Sequence, residues 1–140
     1  MFDRSDYLMR LLRQLVDFIA RIAGYNRRGE HDKALAEAAR AWDDLLDVPR
    51  ELVDVTDTPT LASMLREPQM MRAAAQILIE EGKAFAGKSD PMTAALRYRK
   101  ALELYIEARA IAPEADDDNV MFELSRDVGA NLDPRYVDRD

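Results

Sequence analysis

Residues 91–111 read Pro91-Met92-Thr93-Ala94-Ala95-Leu96-Arg97-Tyr98-Arg99-Lys100-Ala101-Leu102-Glu103-Leu104-Tyr105-Ile106-Glu107-Ala108-Arg109-Ala110-Ile111. Ala94, Tyr98, Ala101, Tyr105 and Ala108 recur at steps of three and four, the period of an α-helix rather than a strand. Ala95, Leu102 and Ile106 form a second row, with Leu96 and Leu104 beyond them. An apolar surface this broad predicts a central helix. Its start is marked by Ser89-Asp90 ahead of Pro91, and Pro113 stops it.

Working outward, the same period fills the chain. Gly87-Lys88-Ser89 is a turn, and before it a helix runs from about Pro68 to Ala86 through Met70, Met71, Ala74, Ile77, Leu78 and Phe85. A short helix from Pro59 to about Arg66 has Thr58 as its expected hydroxyl cap. Residues 48–58 read as a connector, and Leu52-Val53-Asp54-Val55 is too short to claim as a strand. Further back, a helix from Asp32 to Leu46 carries the small row Ala34, Ala38 and Ala41, with Leu35, Trp42, Leu45 and Leu46 beside it. Small residues allow close approach of a neighbouring helix. That neighbour is the first helix, Asp6 to Tyr25, whose stripe is Leu8, Leu11, Leu12, Leu15, Phe18, Ile19 and Ile22. Gly29 separates the two, so they form an antiparallel hairpin. At the other end, Asp118 or Asn119 caps a last short helix that reaches Val128. The expectation is one all-α domain of five to six helices over residues 1–140, with 132–140 as a frayed tail.

Composition narrows the chemistry. The net charge is −7, but residues 113–140 hold nine acids against three bases, while residues 1–28 hold six arginines against three aspartates. Nucleic acid, which calls for a concentrated basic face, is not an expected partner. The absence of cysteine removes disulfides and thiolate sites from consideration and fits a reducing compartment. With no apolar run near the ~20 residues that span a bilayer, the expectation is a cytoplasmic protein without a membrane partner.

Catalytic constellations are equally sparse. His31 is the lone histidine and has no second histidine one turn away, so no metal site is expected. Glu80, Glu81, Glu103 and Glu107 lack the Glu-x-x-His pairs of a di-iron bundle. Asp116-Asp117-Asp118-Asn119 lacks the spacing and glycine of a calcium loop and reads as an acidic helix start. Ser5, Ser63, Ser89 and Ser125 have no triad partners. No enzyme activity and no cofactor are expected. Trp42, Tyr98 and Tyr105, and the cluster Met64, Met70 and Met71, read as core first and as pocket lining second.

Two resemblances follow from these residues. Leu78, Gly82 and Phe85, then Ala94, Tyr98 and Ala101-Leu102, are similar to the two helices of a tetratricopeptide (TPR) repeat. Phe18 and Tyr25, followed by Gly29, Ala34, Ala38 and Ala41, resemble it in the first hairpin. Ile22 stands at the glycine position there, Arg21 and Glu81 stand where leucine is usual, and Ala34 and Ala94 are 60 residues apart against a repeat of ~34. The resemblance implies TPR-like packing and a protein or peptide partner. Of the family's carboxylate-clamp positions only Lys83 offers a cation, among Ile19, Ala23, Ile79 and Ala86. The opening Asp6-Tyr7-Leu8-Met9-Arg10 is also similar to an uncharacterised family of small bacterial helical proteins, which implies a bacterial source and no known activity.

The expected function is a non-catalytic protein–protein interaction module. Two hairpins leave open ends, and the wide first-helix stripe (Leu8, Leu11, Leu12, Leu15, Phe18, Ile19, Ile22) is the expected homodimer contact. The alternative is a small-ligand or peptide carrier with a pocket between the hairpins.

Overall fold

Proline and acidic side chains set the helix starts. The computed structural model describes residues 4–128 and 134–136. Among them are seven α-helices: α1 (Arg4–Arg27), α2 (His31–Ala41), α3 (Arg50–Val53), α4 (Thr58–Leu65), α5 (Pro68–Gly87), α6 (Pro91–Ile111) and α7 (Asp117–Val128). A π-helical turn, Trp42–Leu46, extends α2, and Pro134–Tyr136 is a 3-10 turn. No described residue lies in a strand, so the fold is all-α. The helix beyond the expected five to six is α3, inside the 48–58 connector. Four residues carry no periodic signal of their own.

One cap lies one residue before the expected one, Asp57 in place of Thr58, while Asp90 caps α6 from within the expected Ser89-Asp90 start. Asp57 and Asp90 accept hydrogen bonds from the backbone N–H of Thr60 (2.8 Å) and Thr93 (3.2 Å). At Asp57 the backbone bond leads and the Thr60 hydroxyl adds to it, and at Asp90 the Thr93 hydroxyl leads and the backbone bond adds to it, so both carboxyls are held below the ordinary aspartate range. Thr58, the expected cap, instead donates its hydroxyl to the buried Glu103 carboxylate at 2.6 Å. An unpartnered buried carboxylate costs more than a lost neutral cap, so the hydroxyl goes to Glu103.

Two antiparallel hairpins, α1–α2 and α5–α6, supply most of the packing. Gly29 turns the first with φ +74°, a conformation that suits glycine. Ala34, Ala38, Ala41 and Trp42 are fully buried. The central helix is α5, not α6. It packs against α1, α2, α4 and α6 and buries twelve of its twenty residues, whereas α6 buries seven of twenty-one. The extra breadth of α6 is open to solvent: Met92, Leu96 and Ile111 are 80%, 51% and 60% exposed. Within the expected frayed tail, the described residues 134–136 are docked. Tyr136 is buried, and its hydroxyl donates to Glu107 at 2.7 Å. The rest of that tail lies outside the described residues.

The closest approach in the second hairpin is Gly82 against Tyr98. A Cβ on Gly82 would lie 2.5 Å from the ring of Tyr98. We predict that Gly82→Ala lowers stability by about 1–2 kcal/mol in thermal melts, because overpacking exceeds the ~1 kcal/mol gained in helix propensity. In a Tyr98→Ala background the same change becomes stabilising.

Candidate interaction surfaces

The buried titratable groups hold the helices together. Glu81, fully buried on α5, receives Arg50 (2.7 and 3.1 Å), Arg97 (3.1 Å) and the indole N–H of Trp42 (3.1 Å). Asp54 adds ion pairs to Arg50 and Arg97, both at 3.2 Å. Glu80 accepts from Asn26 (3.0 Å) and Lys83 (3.1 Å), and Asn26 faces His31 Nδ1 at 2.9 Å. His31 is half-buried at the first position of α2. Among the described residues no cluster of three His, Cys, Asp or Glu could hold a metal ion.

Asp117 is the hub of the acidic run. It is buried, takes a two-pronged pair from Arg72 (2.8 and 2.9 Å), and accepts the backbone N–H of Glu114 at 2.9 Å. The Arg72 hydrogen bonds lead in holding its carboxyl below the usual range.

The first-helix stripe divides. Leu15 and Ile22 are fully buried within the chain, and Leu8, Leu11, Leu12, Phe18 and Ile19 are partly covered by the core. The stripe therefore faces mainly inward. The remaining predicted packing residues, Tyr25, Ala34, Ala38, Ala41, Leu78, Gly82, Phe85, Ala94, Tyr98 and Ala101, are buried or half-buried.

Besides the open breadth of α6, two surfaces stand out. The first is a flank of α1 next to its inward stripe: Met9, Leu12, Val16, Ile19 and Ala23. Met9 and Val16 are 55% and 63% exposed; the other three are half-buried. Ala23 lines a hollow with Glu80 and Lys83, which places this flank beside α5. The 3-4-3-4 spacing of the row was available in the sequence. The bulkier inward leucines masked it.

The second is a groove of about 420 Å³ at the amino-terminal end of α1. Leu8, Leu11, Leu45, Met64 and Met70 line it, and Tyr7 stands half exposed beside them. Three backbone features meet there. The π-helical turn ends at Asp47, whose φ is +57°. Arg66 has φ +73° and ψ −52°, and the N–H of Glu67 donates to the Leu65 carbonyl across it at 2.9 Å. That is a γ-turn of the rare positive-φ kind. Such strain and π-turns concentrate at functional sites. A larger hollow of about 570 Å³ beside the last turn of α6, floored by Ile106, Ala110 and Met121, has no comparable backbone signature.

Compared with protein-family models, curated proteins and solved structures, the chain matches none.

Two predictions follow from this geometry. Arg66→Gly should raise stability by about 1 kcal/mol in denaturant titration, since glycine relieves the positive φ. The second concerns acid. A carboxyl with a depressed folded pKa stabilises the protein above its unfolded value near 4, and that contribution is lost as pH falls through the folded value. Thermal stability should therefore hold from pH 7 to 5 and decline below about pH 4. Asp117→Asn should cost about 3 kcal/mol at pH 7 and blunt the acid decline.

Proposed function

We propose that this chain is a non-catalytic protein–protein interaction module, TPR-like in its helix arrangement, that self-associates through α1. The observation that carries the reading is the open apolar flank of α1, where Met9 and Val16 are the most exposed of its large apolar side chains. A continuous apolar row on a monomer's surface marks an association site. The TPR-like assignment is supported by the two antiparallel hairpins, α1–α2 and α5–α6, which α3 and α4 separate, and by the glycine–tyrosine contact between α5 and α6. A role without chemistry is supported by the engagement of Glu80, Glu81, Glu103 and Glu107 in structural hydrogen bonds. The matching opening residues and the lack of cysteine support a bacterial, cytoplasmic setting.

A second reading, a peptide or small-ligand carrier, is favoured by the strained groove at Arg66. Its location differs from the pocket expected between the hairpins, because α4 and the π-helical turn wall it. Peptides selected from a displayed library should shift the methyl resonances of Met64 and Met70 if that reading holds, and Leu45→Glu should abolish the shift.

The leading reading is tested by light scattering at high micromolar concentration. We expect a dimer for the wild type and a monomer with unchanged circular dichroism for Val16→Glu. The interface should weaken by about a hundredfold or more, because two like charges meet on an apolar seam. Val16 is exposed, so this substitution spares the core. A wild-type monomer would falsify self-association.

A further inference from the structure

The flank of α1 carries enough pattern to specify how two copies meet. At 3.6 residues per turn, Met9, Leu12, Val16, Ile19 and Ala23 fall within an arc of about 80°. Their alternating steps of three and four are those of a helix–helix seam. On one side the seam is bounded by the chain's own α5, on the other by Asp6, Arg13 and Asp17, and Arg27 stands at its carboxy-terminal end beside the α5 hollow. All four of these charged residues are exposed, and none has an ion-pair partner among the described residues.

We propose that two copies pair through antiparallel α1 helices about a two-fold axis beside Val16. The proposal rests on the self-association read above and fixes its geometry. Size complementarity argues for this arrangement. Around Val16 each residue meets the one equally distant on the other side, so Met9 meets the partner's Ala23, Leu12 the partner's exposed Ala20, and Ile19 the aliphatic stem of the partner's Arg13. Large faces small at the Met9 and Leu12 layers, and the symmetry repeats them. A parallel, in-register pair would instead set Met9 on Met9 and Ala23 on Ala23, leaving overpacked and empty layers in turn.

Charge argues the same way. In the antiparallel register Asp6 falls within one residue of the partner's Arg27. Arg13 falls within two residues of the partner's Asp17, about 3 Å along the axis and within an arginine's reach. Two-fold symmetry makes four ion pairs, two of them along the outer edge. A parallel pair would instead set this charged edge against the partner's α5 side, so that Arg13 and Asp17 would not meet their complements. The high arginine content of α1, which leaves its flank without internal partners, thereby acquires a role. An isologous pairing of this kind closes on itself and stops at two copies.

The test uses the absence of cysteine in the chain, which makes any introduced thiol the sole reactive one. Val16→Cys should be linked to a covalent dimer by a short bis-maleimide. Met9→Cys and Ala23→Cys should each remain unlinked alone and should link when mixed. Efficient linking of Met9→Cys by itself would mean a parallel pair and overturn the proposal. A dimer in light scattering that none of these thiols links would place the contact on another surface, overturning this geometry while leaving self-association standing. A monomer would overturn both. As an independent arm, Arg13→Asp should weaken the dimer about tenfold, and adding Asp17→Arg should restore it. A double variant as weak as the single one would overturn the proposed ion pairs.

Discussion

The buried carboxylate of Glu81 is the constraint around which the rest of the structure is arranged. A charge taken out of water is tolerable only when paired and fully hydrogen-bonded. Here the donors arrive from three directions: Trp42 from the π-helical turn, Arg50 from α3 and Arg97 from α6. Removing any one donor leaves the others bearing an undercompensated charge. The network therefore favours one relative placement of the two hairpins, where an apolar contact alone would tolerate sliding. It also explains why the 48–58 segment is ordered although its sequence has no amphipathic period.

The long helices were legible because periodicity is a local property. Pro91–Ile111 was bounded correctly from its own proline start and apolar rows, and α5 nearly so. What sequence could not rank was which of the two sat at the centre. Apolar breadth on α6 looked like burial, yet Met92, Leu96 and Ile111 meet solvent. α5 earns its position through Ala74, Ala75, Gly82 and Ala84, small buried residues that let several helices approach at once. Likewise α3 was invisible because Arg50 is helical for the sake of a glutamate 31 residues away. Thr58 was misassigned as a cap because its partner, Glu103, is distant in sequence. Each miss is a long-range polar contact overriding a sound local rule.

The open flank of α1, the surface proposed for self-association, is half legible in the sequence. Choosing α1 followed from the density of its apolar residues. Choosing its face did not, because the heaviest leucines are those the chain covers itself. The weaker row, Met9 through Ala23, mixes large and small residues and so contributes little to any sum of hydrophobicity. The groove was hinted at by Met64 and Met70. Its floor, however, depends on the backbone at Asp47 and Arg66, and ordinary residue types there gave no sign of left-handed conformations.

The π-helical turn at Trp42–Leu46 has an implication for how this chain tolerates change in length. Each π turn contains one more residue than the α turn it replaces, with the wider loop closed here by Asp47 donating to the Trp42 carbonyl. Asp43 is tied to the Arg50 backbone, but Asp44 is exposed and makes no described side-chain bond. Losing Asp44 would rewind the turn to α geometry and absorb the deletion locally, without rotating the residues downstream. The segment is in effect a built-in expansion joint, placed at the wall of the groove, where one residue more or less changes the width of the opening and leaves the bundle intact.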